Sequence, residues 1–265
     1  MTVISFDQFR KSRHSKEEKV EDRNCLEPRD YVNRGSVVFI GFHPDDLDFH
    51  AAGLAATLTA AGVNVIYVVV TSGEKNGHVR IREQEQRQAA GAVGVKHVTF
   101  LRRPDGGLAK EYRKGRLQKL MNNVIHFLRP YAIVTFCPAN LTSASFGVEH
   151  PDHRYGALAV WEAIYPSARQ EFHFAWWKFW REPLPGHHVR EVLWFGDPLV
   201  GPYEANCHID VGDRRLEMNR AIAAHESQWD KFDMFARVTE RCRLSAKRWG
   251  YEGMAEEYYR IVIPE

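Results

Sequence analysis

Ser36-Val37-Val38-Phe39-Ile40-Gly41-Phe42-His43-Pro44-Asp45-Asp46 is the stretch on which the fold turns. Its first six residues form a nearly continuous apolar run, which suits a strand buried on both faces of a parallel sheet. Pro44 stiffens the turn that follows. From Asp46 the apolar residues Leu47, Leu54 and Leu58 recur at helical spacing, and Gly62 supplies a stop. The pattern is strand, tight turn, helix. His43, Asp45 and Asp46 then sit just beyond the carboxyl end of the strand, where open α/β sheets build their sites.

Outward from this unit, apolar strands alternate with helical segments. Strands are expected over Asn64–Val70, His97–Leu101 and Ala132–Phe136, with later ones over Glu191–Phe195 and Cys207–Val211. Helices are expected over Arg80–Val93, Arg113–Leu128, Pro151–Tyr165 and Leu216–Ser227, and the C-terminal segment reads as helical too. Pro151 stands at a first helical position, where its missing N–H costs nothing. The order implies an α/β fold: a Rossmann-like parallel sheet with helices on both faces, plus C-terminal elaborations. Residues 1–35 read as a charged N-terminal extension and 36–265 as a single domain.

Composition narrows the function. The 265 residues carry 36 Lys and Arg against 34 Asp and Glu, a net charge of +2, so no basic field calls for nucleic acid. The longest apolar runs, such as Val65–Val70, are too short to span a bilayer. Cys25, Cys137, Cys207 and Cys242 are scattered without a Cys-x-x-Cys pair, which fits reduced thiols and a cytoplasmic protein. No apolar leader segment is visible in the first 35 residues.

A second motif, His150-Pro151-Asp152-His153, repeats the chemistry of the first after the fourth strand. One His-Pro-Asp is ordinarily a turn or a helix cap. Two of them on one rim of a sheet make a site. A catalytic zinc takes three protein ligands and keeps one position open, and His43, Asp46 and His153 supply two nitrogens and a carboxylate oxygen. The same donor set also suits Fe(II). Asp45 is left as a general base for an activated water. His150 is placed to donate to an oxyanion, and Asp152 to hold the His150 ring.

These motifs, with Val69-Val70-Thr71-Ser72-Gly73-Glu74, Arg82-x-x-Glu85, Asp105-Gly106 and Ala224-His225-Glu226-Ser227-Gln228, resemble the PIG-L/LmbE-like N-acetylglucosaminyl deacetylase family over Ser36 to about Tyr259. The resemblance implies zinc on His43, Asp46 and His153, Asp45 as base, and His150 with Asp152 assisting. It implies that Glu74, Arg82 and Asp105 contact substrate or shape the pocket. Two positions depart from the family pattern: Leu47 stands where many relatives carry Glu, with Asp48 next, and His50 stands where a small residue is common.

The expected activity is zinc-dependent removal of an N-acyl group, foremost N-acetyl, from an amino sugar or sugar-containing metabolite. The alternatives are an amidase acting on a larger conjugate or natural-product intermediate, and a metal-binding homologue that does not hydrolyse. The expected partner is a small N-acylated molecule, with neither nucleic acid nor membrane. The aromatic run Phe172–Trp180 suits core packing or contact with a second copy, which would make a homo-oligomer. That run, the N-terminal extension and the loop Pro138–Glu149 are the expected seats of specificity. His50 is expected to be a packed or exposed helix histidine, and His225 a support beneath the site.

Overall fold

The computed structural model describes residues 25–142, 147–171, 183–196, 204–231 and 233–264. The aromatic run Phe172–Trp180, residues 1–24 of the extension and part of the Pro138–Glu149 loop lie outside these.

Seven strands form one sheet: β1 (Ser36–Gly41), β2 (Asn64–Thr71), β3 (His97–Arg103), β4 (Ala132–Thr135), β5 (Glu191–Phe195), β6 (Cys207–Asp210) and β7 (Ala255–Val262). Their order is β3-β2-β1-β4-β5-β7-β6. The first five pair in parallel, whereas β7 runs antiparallel to both β5 and β6. The sheet is therefore mixed, with a parallel doubly wound core. Every residue of β1, β4 and β5 is buried, as continuous apolar strands under helices on both faces must be.

The helices are α1 (Asp46–Ala60), α2 (Val79–Ala92), α3 (Leu108–Arg113), α4 (Arg116–Leu128), α5 (Pro151–Ile164), α6 (Arg215–Ala223) and α7 (Met234–Arg248). They pack as two groups, α6 against α1, α2 and α7, and α3 with α4 and α5. The chain thus winds from β1 outward in one direction and from β4 in the other, so the switch point falls between these two strands. His43 follows β1 there, and the second histidine motif follows β4. The strand ends are tied together: Thr71 donates through both its N–H (2.9 Å) and Oγ1 (2.6 Å) to the Phe42 carbonyl. Thr135 Oγ1 donates to the Ile40 carbonyl at 2.8 Å.

Three elements differ from the sequence reading. The helix expected over Arg113–Leu128 begins at Arg116, and a further short helix, Leu108–Arg113, precedes it, with Gly115 at φ +67° turning the chain between them. The helix expected over Leu216–Ser227 ends at Ala223, and a 3-10 segment covers Glu226–Lys231. The C-terminal segment is helical only to Arg248 and then contributes β7 to the sheet interior. Residues 25–35 pack onto the domain: Leu26 and Tyr31 are each 2 % exposed, and Tyr31 Oη donates to Glu191. Among the described residues no disulfide joins the four cysteines. Among the described residues no helix is long and apolar enough to cross a membrane.

Candidate active site

Asp45 is where β1 hands over to α1, and its backbone is unusual. It is a non-glycine residue at φ +122°, ψ −30°, a strained conformation that persists only where its surroundings fix it. Those surroundings come from α2. Arg82, only 2 % exposed, donates Nη2 to Asp45 Oδ2 at 2.7 Å and also to the Pro44 carbonyl, while Nη1 reaches the Gly73 carbonyl at 3.1 Å. Gln86, one turn further along, accepts from the Asp45 N–H at 3.0 Å. Its amide then donates to Asp48 at 2.6 Å, and Asp48 in turn lies 3.0 Å from His225 Nε2. His225 is thus buried beneath the site, on the residue that follows Leu47.

Asp46 points the other way. Its Oδ2 accepts from the Phe42 and His43 N–H groups, both at 2.8 Å, which fixes the carboxylate at the start of α1. Oδ1 lies 3.2 Å from His153 Nε2. His153 Nε2 is 3.1 Å from His43 Nδ1, which lies 3.7 Å from Asp46 Oδ2. Two imidazole nitrogens and a carboxylate therefore converge from two loops. Ligands 2.0–2.2 Å from a tetrahedral zinc stand roughly 3.3–3.6 Å apart, so this spacing suits an ion between them. His150 belongs to the same cluster: nitrogens of His43, His150 and His153 lie within 4.8 Å of one another.

Electrostatics point the same way. Burial opposes charge on His43, but hydrogen bonding to Asp105, Asp152 and Asp46 outweighs it and holds the ring well above its usual range. Burial likewise opposes charge on His153, yet Asp46 and Glu149 push its pKa up to about 9. Burial would raise Asp46, and the two histidines hold it well below the carboxylate range instead. This pocket of carboxylates calls for positive charge at the two imidazoles, and a divalent ion supplies it as well as protons do.

Behind the cluster, His43 Nε2 lies 3.2 Å from Asp105 Oδ1 and 3.6 Å from Asp152 Oδ2. A second set of atoms, from His43, Asp105 and Asp152, is also close enough to hold an ion. The Asp152 carboxylate accepts from the Gly106 N–H at 2.6 Å and the Leu108 N–H at 3.1 Å. Expected to grip the His150 ring through that carboxylate, Asp152 meets it instead through its backbone N–H, which donates to His150 Nδ1 at 3.2 Å. An accepting Nδ1 places the proton of a neutral ring on Nε2. Burial, then the charges of His43 and His153, lower the His150 pKa and favour that neutral form.

Glu74 accepts from the Asp105 N–H at 2.8 Å, and the Lys75 N–H donates to Asp105 at 3.3 Å. Arg82, Glu74 and Asp105, expected around the substrate, thus all brace the cluster. Arg82 is committed to Asp45, while Glu74 and Asp105 hold the loop behind His43. His50 packs between Phe195, stacked at 5.2 Å, and Phe136 at 5.0 Å, with Arg241 Nη1 3.3 Å from its Nδ1. Two residues were missed by the sequence reading. Gln86 stands four positions after Arg82 on the same helical face, whereas Glu149 stands four before His153 in the loop ahead of α5.

An open α/β protein with a histidine and carboxylate cluster at its switch point is a class defined by fold and site together. Residues 38–164, which carry both histidine motifs, match the family model described as PIG-L: GlcNAc-PI de-N-acetylase. Over 144 residues the chain is 27 % identical to a probable N-acetyl-alpha-D-glucosaminyl L-malate deacetylase 2 of Bacillus anthracis, a match spanning 50 % of this chain and only 60 % of that protein's length. Over 223 residues it is 26 % identical to the diacetylchitobiose deacetylase of Thermococcus kodakarensis, covering 76 % of this chain and 75 % of the relative. The structure of N,N'-diacetylchitobiose deacetylase from Pyrococcus horikoshii superposes with a TM-score of 0.74 at 20 % identity, over 98 % of this chain and 94 % of that one. At that identity the likeness speaks for the fold.

Proposed function

We propose that the protein is a divalent-metal-dependent hydrolase that removes the acetyl group from an N-acetylated amino sugar or a metabolite built on one. The observation that carries this reading is the convergence of His43 Nδ1, His153 Nε2 and Asp46 beside a strained, clamped Asp45. The names of the Bacillus and Thermococcus relatives support an N-acetylated sugar as substrate.

His43, Asp46 and His153 would hold the ion, with zinc the first candidate and Fe(II) compatible with the same donors. When bound, the ion supplies Lewis acidity to a water and to the amide carbonyl. Asp45 accepts the proton of that water. Burial raises its carboxyl, while Arg82 works against the shift, and a raised carboxylate is the better base. Arg82 holds Oδ2, so the proton goes to Oδ1. His150 donates Nε2–H to the oxygen that gains charge as the carbonyl becomes tetrahedral, which lowers the barrier by stabilising that charge. Asp45 then returns its proton to the departing amine, leaving acetate and a free amino group.

The experiment is a panel of N-acetylated sugars and conjugates, including diacetylchitobiose and N-acetylglucosaminyl malate, incubated with metal-loaded protein and followed by mass spectrometry. Loss of one acetyl group with a matching amine supports the reading. A loaded protein that turns over no N-acyl compound would leave only a metal-binding role.

A further inference from the structure

We propose that Glu149 orients His153 toward the metal and so sets how tightly this chain holds the ion. The inference rests on the metal site proposed above. Glu149 lies in the loop after β4, immediately before His150, and its side chain is 10 % exposed. Its Oε1 lies 2.7 Å from His153 Nδ1 and accepts from the His150 N–H at 2.9 Å. Its own N–H donates to the Leu141 carbonyl at 3.1 Å, which anchors the loop.

An ionised carboxylate only accepts hydrogen bonds, so this contact puts the proton of His153 on Nδ1. The lone pair of Nε2 then faces Asp46 Oδ1 and His43 Nδ1 at 3.2 and 3.1 Å. The mirror arrangement holds on the other ligand, where Asp105 and Asp152 face His43 Nε2 and leave Nδ1 for the common point. The two imidazoles therefore present opposite ring nitrogens, each with a carboxylate behind it. A carboxylate behind a ligating histidine fixes its tautomer and makes it more basic. His43 has two such carboxylates. Among the described residues His153 Nδ1 has Glu149 alone, which makes Glu149 the more sensitive of the supports.

The blander role is a cap. Glu149 accepts the N–H at the head of α5, and that alone would stabilise the helix. The two roles separate in one experiment. Wild type, Glu149→Ala, Glu149→Gln and His153→Ala are stripped of metal. Each is titrated with Zn²⁺ against a chromophoric chelator and with Co²⁺ by visible absorption, and urea midpoints are recorded in parallel. The expected result is a Zn²⁺ affinity lowered roughly 10- to 100-fold in Glu149→Ala. Glu149→Gln, which keeps an acceptor and loses the charge, should fall severalfold with a shifted Co²⁺ spectrum. A Glu149→Ala protein with a lower urea midpoint and unchanged Zn²⁺ affinity would leave only the cap and overturn the proposal. If Glu149→Ala does not fold, Glu149→Gln decides, and wild-type affinity with an unchanged spectrum overturns it. A wild type that binds no ion overturns the metal site as well, whereas a tight wild type with unaffected Glu149 variants overturns this inference alone.

Discussion

Asp45 and Arg82 form one working pair, and their variants should fail differently. Asp45→Asn keeps the shape and the proposed ligands but removes the proposed base. We expect kcat to fall by about 10²–10⁴ with metal content unchanged, because that is what a positioned base typically supplies. Elemental analysis beside initial rates checks both halves. Arg82→Met has a second cost. Arg82 is buried and faces Asp45 Oδ2 at 2.7 Å, so the variant strands a carboxylate that is only 15 % exposed. Breaking such a pair from one side costs about 3–5 kcal/mol, which urea denaturation would read as a large drop in midpoint. Both histidine motifs were legible in the sequence because both follow apolar strands that end on one rim of the sheet. The assignment of Arg82 to Asp45 was not, because a lone arginine on a helix carries no sign of what it faces across the fold.

The two motifs meet only because α5 lies close against the end of β1. Gly156 permits it: a Cβ there would meet Phe42 Cε1 at 2.2 Å, and Phe42 is fully buried beside Phe136. Gly156→Ala gains at most about 1 kcal/mol of helix propensity but overpacks a rigid ring at about 1–3 kcal/mol. We therefore expect lower stability and weaker metal binding, since α5 carries His153. Gly91, with nothing near its missing Cβ, is the contrasting case. Gly91→Ala in α2 should stabilise by about 0.4–1 kcal/mol and leave the metal alone. Parallel urea and metal titrations of both variants check the pair. The strands flanking the switch point were readable as unbroken apolar runs. β7 was not, because Ala255-Glu256-Glu257-Tyr258 reads as polar. Its carboxylates are buried with partners from elsewhere in the chain: Glu256 accepts from the Gly53 and Leu54 N–H groups at 2.8 and 2.7 Å, where α1 is kinked at Ala51. Glu257 accepts from Trp249 and Arg248. Tertiary hydrogen bonds, invisible to local pattern, make that strand.

At the scale of the whole molecule, His50 links the acid stability of the fold to its packing. Burial, then the charge of Arg241, lowers its pKa from 6.5 to about 3. Above pH 6.5 the ring is neutral folded or unfolded, and its contribution is fully present. As pH falls from 6.5 toward 3, the unfolded chain takes up a proton that the native state refuses. Stability then falls by about 1.4 kcal/mol per pH unit from this group. His50→Asn keeps an acceptor for Arg241 and does not titrate, so its stability should fall less steeply between pH 6 and pH 4. Chemical denaturation at those two values checks the slope. The doubly wound core was legible because each βα unit repeats one pattern. The packing of residues 25–35 was hidden by charge: a segment rich in Arg, Asp and Glu contributes Leu26 and Tyr31 to the core.

The central claim is that two histidine motifs make one metal-dependent deacetylation site, with Asp45 as its base. Acetate release from N-acetylated sugars, measured side by side for metal-loaded wild type, chelator-stripped wild type and metal-loaded Asp45→Asn, tests it most directly. The account predicts acetate and free amine in equal amounts from the loaded wild type, and at most traces from the other two. Full activity in Asp45→Asn, or in the stripped protein, would contradict it.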